Sequence, residues 1–210
     1  MLKNKFFVTI LVVLLCAGSV WLFRAFKPNA EELLNKRVAE RSRGDSKAPL
    51  WVTEYFDYQC PPCAAARKLL DDAMQKYPGK IYLQVRYFPL PAHKNSVKAA
   101  IHAECASHQP GKFWKFHEQI FEHQNDWAMD PYPELKFLNY AQTADLDLER
   151  WDACTKDPAV EKTVTEEKTK GESLGVKITP SFFINGQLVV GINGLNEELK
   201  KLESKDAPAA

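Results

Sequence analysis

LWVTEYFDYQCPPC, Leu50 to Cys63, is the stretch on which the fold turns. Its first half, LWVTEYF (50–56), is β-branched and aromatic and stops abruptly, as a short buried strand does. Two cysteines come next, two residues apart, with prolines in both places between them. Directly after Cys63 the period changes. Ala66, Leu69, Leu70, Ala73, Met74 and Tyr77 recur at three and four, which marks one face of a helix. Pro78-Gly79 stops it, and IYLQVRYF (81–88) then alternates Ile81, Leu83, Val85 and Tyr87 against the residues between, as a strand does. The order strand, helix, strand predicts an α/β domain with the cysteine pair at the first helix's N-terminus.

Downstream the pattern is helical from about Asn95 to Val176. Val97, Ala100, Ile101 and Cys105 share one predicted face, and Phe113, Phe116, His117 and Ile120 another. Asp147 is placed to cap a helix holding Leu148, Trp151 and Cys154. Strands return in PSFFI and QLVVG around Asn185-Gly186, the strongest short hairpin signal. Leu195, Leu199 and Leu202 mark a last amphipathic helix. The plan is a central sheet flanked by helices, with a helical block hung between its halves. His117 reads as a core residue. His93, in the loop after Pro91, could border the site, and His102, His108 and His123 are expected to face solvent.

The chain has 210 residues and a net charge of +1, which points to neither nucleic acid nor an anionic surface as the main partner. Its first residues differ from the rest. Lys3 and Lys5 precede an uncharged run from Phe6 to Phe23, closed by Arg24 and Lys27. That run is just long enough to span a bilayer and is longer than the apolar core of a usual cleavable signal. An uncleaved anchor is the favoured reading; a cleaved signal ending near Ala17-Gly18-Ser19 and a lipoprotein modified at Cys16 are the alternatives. All three export the globular part of the chain, so disulfides can persist there. The organisation read from sequence is therefore an anchor or signal over 1–27 and a charged, solvated stalk over 28–48. Then come a first core half over 49–91, a helical insertion over 92–176, a second core half over 177–204 and a frayed tail over 205–210.

A C-x-x-C pair can be a metal clamp, a structural disulfide or a redox centre. Zinc needs a second ligand pair at compatible spacing, and Cys105 and Cys154 are lone cysteines on separate predicted helices, so no metal is assigned. A purely structural bridge across so small a loop would remove little unfolded-state entropy. At a helix N-terminus, free N–H groups and a partial positive charge stabilise a Cys60 thiolate. Pro61 and Pro62 suit the first turn, where their missing N–H groups would have had no partner. A Cys60 thiolate can attack a disulfide, and Cys63 can resolve the product. Glu54, six residues before Cys60, is either buried with a raised pKa and able to relay the Cys63 proton, or an edge glutamate facing water. Thr179-Pro180 opens a strand where proline cannot donate to the ladder; a cis bond there would leave the Thr179 backbone facing a substrate chain.

FDYQCPPC, Glu54, Thr179-Pro180 before SFFING, and the intervening helical block resemble the DsbA-like thiol–disulfide oxidoreductases over roughly residues 48–203. FPLPAHKNSVKAA, GKFWKFHEQIF and LERWDAC strengthen the likeness. It implies a thioredoxin-like fold with an inserted helical domain, to which the apolar run from Phe6 to Phe23 adds an N-terminal transmembrane helix. It also implies Cys60 as nucleophile, Cys63 as resolving cysteine, Glu54 as buried carboxylate, and Pro62, Thr179 and Pro180 beside the bound chain. No cofactor is required. Implied partners are exported proteins carrying thiols or disulfides and a quinone-linked membrane oxidoreductase; the chain is expected to be monomeric. The expected location is the bacterial cytoplasmic membrane with the domain on the periplasmic side, or the periplasm itself if the signal is cleaved. Some members of the family bridge two cysteines in the helical insertion, which would pair Cys105 with Cys154. Two departures stand out. Pro62 occupies the place of a thiolate-stabilising histidine, which predicts a milder oxidant, and Lys177-Ile178 stands where many relatives have glycine before Thr-Pro. Electron flow in the reverse direction, as in a reductase or cytochrome-maturation thioredoxin, remains the alternative. A redox-inactive binding module is disfavoured by the intact Cys60 and Cys63.

Overall fold

Val52, Tyr55, Phe56, Leu83, Val85 and Tyr87 are almost inaccessible, and the two strands that carry them form the middle of the sheet. The structure is a computed structural model that describes residues 39–206, with side chains to 202. Strand β2 (Leu50–Phe56) pairs in parallel with β3 (Ile81–Tyr87), Leu50 opposite Ile81 and Phe56 opposite Tyr87. Between them runs helix α1 (Pro61–Lys76), whose inner face is Cys63, Ala66, Leu70 and Ala73. Two parallel strands require such a crossover, because a short turn cannot return the chain to its starting end.

The hairpin forms where the Asn-Gly signal placed it. Strands β4 (Ser181–Ile184) and β5 (Gln187–Val190) flank Asn185 and Gly186, whose φ values of 48° and 83° are those of a two-residue hairpin turn. β4 pairs antiparallel with β2, with Glu54 opposite Phe182 and Tyr55 opposite Ser181. The last helix, named α8 (Gly191–Asp206), packs on α1 and the hairpin through Leu195, Leu199 and Leu202, and runs slightly into the expected tail.

The segment over 28–48 is not a spacer throughout. Strand β1 (Ser42–Gly44) adds to the sheet edge antiparallel to β3, giving the order β1-β3-β2-β4-β5. Before it, a turn of 3-10 helix (Ala39–Arg41) carries Arg41 to 1% exposure. The charge-rich composition concealed this. The guanidinium is buried because it is paired: it donates to Glu167 at 2.9 and 2.5 Å and lies 3.3 Å from Glu104. It also stacks 4.4 Å over the Tyr87 ring. The anchor expected over 1–27 and the earlier part of the stalk lie outside the described residues.

The helical block comprises α2 (Ser96–Ser107), α3 (Phe113–Glu122), the single turn α4 (Gln124–Trp127), α5 (Glu134–Thr143), α6 (Leu148–Thr155) and α7 (Pro158–Ser173). Phe113, Phe116, His117 and Ile120 form the buried face of α3, each apolar side chain contributing roughly 1.5–3 kcal/mol. Asp147 caps α6 by accepting from the Arg150 N–H at 3.1 Å. Two expectations need correction. Val97 is 36% exposed, because α2 buries its alanine face, Ala99, Ala100, Ala103 and Ala106, against its neighbours. His102 does not face solvent: its ring lies 4.9 Å from Phe137 and 5.1 Å from Trp151, and burial lowers its pKa. α7 packs on β3 and α2, and so joins the helical block to the sheet.

Candidate active site

Strand β2 ends at Phe56, and the chain turns once before α1 begins. Asp57 makes that turn: its carboxylate accepts from the Gln59 N–H at 2.7 Å, while its carbonyl accepts from the Cys60 N–H at 3.1 Å. Cys60 is the N-cap of α1 and has extended backbone geometry, with prolines in the first two helical positions. Cys63 sits one turn on, its N–H donating to the Cys60 carbonyl at 3.0 Å. Both thiols are free; Cys60 is 5% exposed and Cys63 fully buried.

The two sulfurs are not equivalent. The Cys63 thiol donates a hydrogen bond to Cys60 and, against the opposing effect of burial, helps hold the Cys60 pKa down at about 6. Thr179 and the Cys63 backbone act in the same direction, and the Asp57 charge works against them. Cys63 moves the other way: burial raises its pKa well above that of a free thiol, reinforced by its donation to Cys60 and by the Glu54 charge. Cys60 is thus the thiolate former and Cys63 the proton holder.

Glu54 is 3% exposed on β2, and its Oε1 has no hydrogen-bond partner among the described residues. Burial raises its pKa to about 8, with Arg43 pulling down and Cys60 pushing up. The edge-glutamate reading is therefore set aside. Thr179 and Pro180 are joined by a cis peptide, and the Thr179 carbonyl stands 3.5 Å from Cys60 Sγ as its hydrogen-bond acceptor. Pro62 is exposed on the helix start. Cys60, Cys63, Glu54, Thr179 and Pro180 thus gather at one end of the sheet. Cys105 and Cys154 do not join them; they are bridged to each other, tying α2 to α6.

Residues 26–203 match the model of a thioredoxin family. This chain belongs to that family. Among solved structures it is similar to a thioredoxin-like oxidoreductase from Silicibacter pomeroyi, at 26% identity and TM-score 0.66 over 86% of this chain and 100% of that one. The fold is shared with alpha-DsbA1 from Wolbachia pipientis, at 23% identity and TM-score 0.66 over 79% and 91%. It is shared equally with oxidised BdbD from Bacillus subtilis, at 22% identity and TM-score 0.66 over 79% and 92%. Among curated proteins, a Na(+)/H(+) antiporter NhaA 1 from Mycolicibacterium vanbaalenii is 34% identical over 149 residues, 69% of this chain and 23% of that protein. The NhaA antiporter of Herminiimonas arsenicoxydans is 31% identical over 149 residues, 71% and 23%. The chain spans about a quarter of the length of these curated relatives. Family and fold are thus those of a thioredoxin, with two free thiols at the N-terminus of α1.

Within the thioredoxin frame, amide side chains hold the active-site turn against the helical block. Gln124 on α4 donates to the carbonyls of Tyr58 at 2.7 Å and Cys60 at 3.1 Å. Gln59 donates to the Ala128 carbonyl at 2.7 Å and accepts from the Asn95 N–H at 2.8 Å. Asn95 reaches the Asp130 carbonyl at 2.7 Å. In sequence these amides are indistinguishable from solvated surface side chains. Only their burial, at 6–8% exposure, shows them to be a brace. His93 borders this region by pairing its Nδ1 with Asp57 at 2.7 Å, while Asp57 also accepts from the Leu90 N–H. Asp57, two residues before Gln59, has the spacing of an Asx turn.

Proposed function

We propose that this chain works outside the cytoplasm, tethered by its N-terminal segment, and introduces disulfides into exported proteins. The observation that supports this reading most is the asymmetry of the two thiols. A stabilised Cys60 thiolate is a good leaving group and favours the reduced form, so the Cys60–Cys63 disulfide tends to accept electrons. In the forward cycle a substrate thiolate attacks Cys60 Sγ, the Cys60–Cys63 bond breaks, and Cys63 leaves as a thiolate that takes up a proton. Glu54, whose raised pKa lets it carry a proton near neutrality, supplies it. A second substrate thiolate then attacks its own mixed-disulfide sulfur and expels Cys60. The substrate loses two electrons and the dithiol gains them. A quinone-linked membrane protein would reoxidise the dithiol. Pro62 beside Cys60 offers no positive charge to the thiolate, so the oxidant should be milder than one with histidine there.

Trapping tests the reading. Cys63→Ser should accumulate mixed disulfides with exported proteins at Cys60, and Cys60→Ser should abolish them. Wild-type chain, acid-quenched and alkylated from cells, should be mainly oxidised; a mainly reduced steady state would assign it to the reductase pathway instead. Equilibration with glutathione buffers should give a potential more negative than roughly −120 mV, and a value that high would remove the role given to Pro62.

A further inference from the structure

A second sulfur site lies in the helical block, away from Cys60 and Cys63. The Cys105–Cys154 bridge has one hidden end and one open end. Cys105 is 1% exposed on α2, whereas Cys154 on α6 is only partly buried. His108, the C-cap residue of α2, brings its Nδ1 to 3.5 Å from Cys154 Sγ. The other ring nitrogen, Nε2, lies 3.6 Å from Glu104 Oε1. Glu104 is itself buried and fixed, 3.3 Å from Arg41 Nε.

These neighbours set the tautomer. A carboxylate beside Nε2 favours a proton there, which leaves the Nδ1 lone pair directed at the sulfur. The hydrogen bond to Glu104 raises the His108 pKa; burial opposes it, Arg41 works with burial, and Asp157 adds to Glu104. Cysteine, imidazole and carboxylate therefore stand in the order in which a nucleophilic thiol is activated by a base and the base is oriented by a third group.

We propose that Cys154 is a second thiol–disulfide exchange site, at which His108 takes the thiol proton and a low-molecular-weight disulfide of the glutathione class is the co-reactant. With the bridge open, the Cys154 thiolate attacks the small disulfide, RSSR. The new bond is Cys154–SR, the old S–S bond breaks, and the departing thiolate takes the proton from His108. The Cys105 sulfur then attacks Cys154 Sγ, closing the bridge and releasing the second RSH with the Cys105 proton. Two protein thiols are oxidised and one small disulfide is reduced to two thiols. In reverse, a small thiolate enters at Cys154, because Cys105 is out of reach. When closure is slow, Cys154 keeps the small thiol as a modification.

The test uses the full-length chain carrying Cys60→Ala and Cys63→Ala, so that a failure of the proposed oxidase function cannot affect the readout. The chain is reduced, freed of reductant and mixed at pH 7 with glutathione disulfide. Adducts are trapped with acid and mapped by peptide mass. The expected first adduct is on Cys154. His108→Ala should slow its appearance at least threefold, a gain consistent with converting a small thiolate fraction at pH 7 into a dominant one while nucleophilicity falls with pKa. His108→Gln, which fills the same space without taking a proton, should slow it equally. Cys105→Ser should hold the adduct on Cys154 indefinitely. A first adduct on Cys105 would overturn the proposal. So would a rate change below threefold in both His108 variants, or loss of the folded far-ultraviolet circular dichroism spectrum on reduction, since the three groups would then not meet.

Discussion

At the residue scale the most consequential group after the two cysteines is Glu54. Its pKa of about 8 is set mainly by burial, so ionising it in the folded chain is costly. The unfolded chain releases this proton near the ordinary carboxyl range, while the folded chain keeps it until about pH 8. Stability therefore falls as pH rises through that window and levels off above it. Glu54→Gln, measured by urea denaturation at several pH values, should flatten the curve. Its advantage over the wild type should grow with pH toward something on the order of 4 kcal/mol. If Glu54 is the proton donor proposed above, the same substitution should slow reduction of the Cys60–Cys63 disulfide by substrate thiols several-fold near neutral pH, where the wild-type carboxyl still holds its proton. An unchanged rate in stopped-flow tryptophan fluorescence would remove Glu54 from the proton path.

At the element scale the decisive contact is helix α7 against the sheet. Gly171 lies within α7, and a Cβ there would come 2.8 Å from the Tyr55 ring and 2.9 Å from Phe88. Both rings are buried and edge-on to one another, so neither can swing away. In an exposed helix glycine to alanine stabilises by about 1 kcal/mol. Here the sign should reverse: Gly171→Ala should cost about 1–3 kcal/mol through overpacking, read as a lower denaturation midpoint. A stabilised variant would mean that α7 can lift off the sheet without loss.

At the scale of the whole molecule, Arg41 ties together parts that no local pattern connects. It comes from the turn before β1, meets Glu104 on α2 and Glu167 on α7, and lies over Tyr87 of β3. Glu167 also accepts from the Tyr87 N–H at 2.9 Å and from Arg86 at 3.3 Å. Arg41→Met would leave two buried carboxylates with too little positive charge. The expected cost is about 3–5 kcal/mol, seen in chemical denaturation of both the oxidised and the reduced chain. If the loss is below about 1 kcal/mol, the range of an exposed ion pair, the cluster is a solvated arrangement and not a buried one.

How far this was legible from the letters depended on the range of the interaction. Strands 50–56 and 81–87, the helix after Cys63 and the hairpin at Asn185-Gly186 rest on local period and turn chemistry, and the sequence carries those explicitly. The position of the thiol pair was legible for the same reason, since a strand end, two prolines and a helix start are contiguous. The edge strand at Ser42 was hidden, because three residues in a charge-rich segment carry no period, and only pairing with β3 makes them a strand. The brace of Gln59, Asn95 and Gln124 was hidden too. An amide is ambiguous until its partners are known, and those partners are backbone carbonyls and N–H groups as distant in sequence as Tyr58 is from Gln124. By itself the sequence determined the order of elements and the placement of Cys60-Pro61-Pro62-Cys63 at a strand–helix junction. Tertiary structure alone decided that Glu54 is buried, that Arg41 is internal and that His108 meets Cys154. The physical reason is that burial and long-range pairing depend on what the fold brings together, and residue identity encodes only what neighbours along the chain can do.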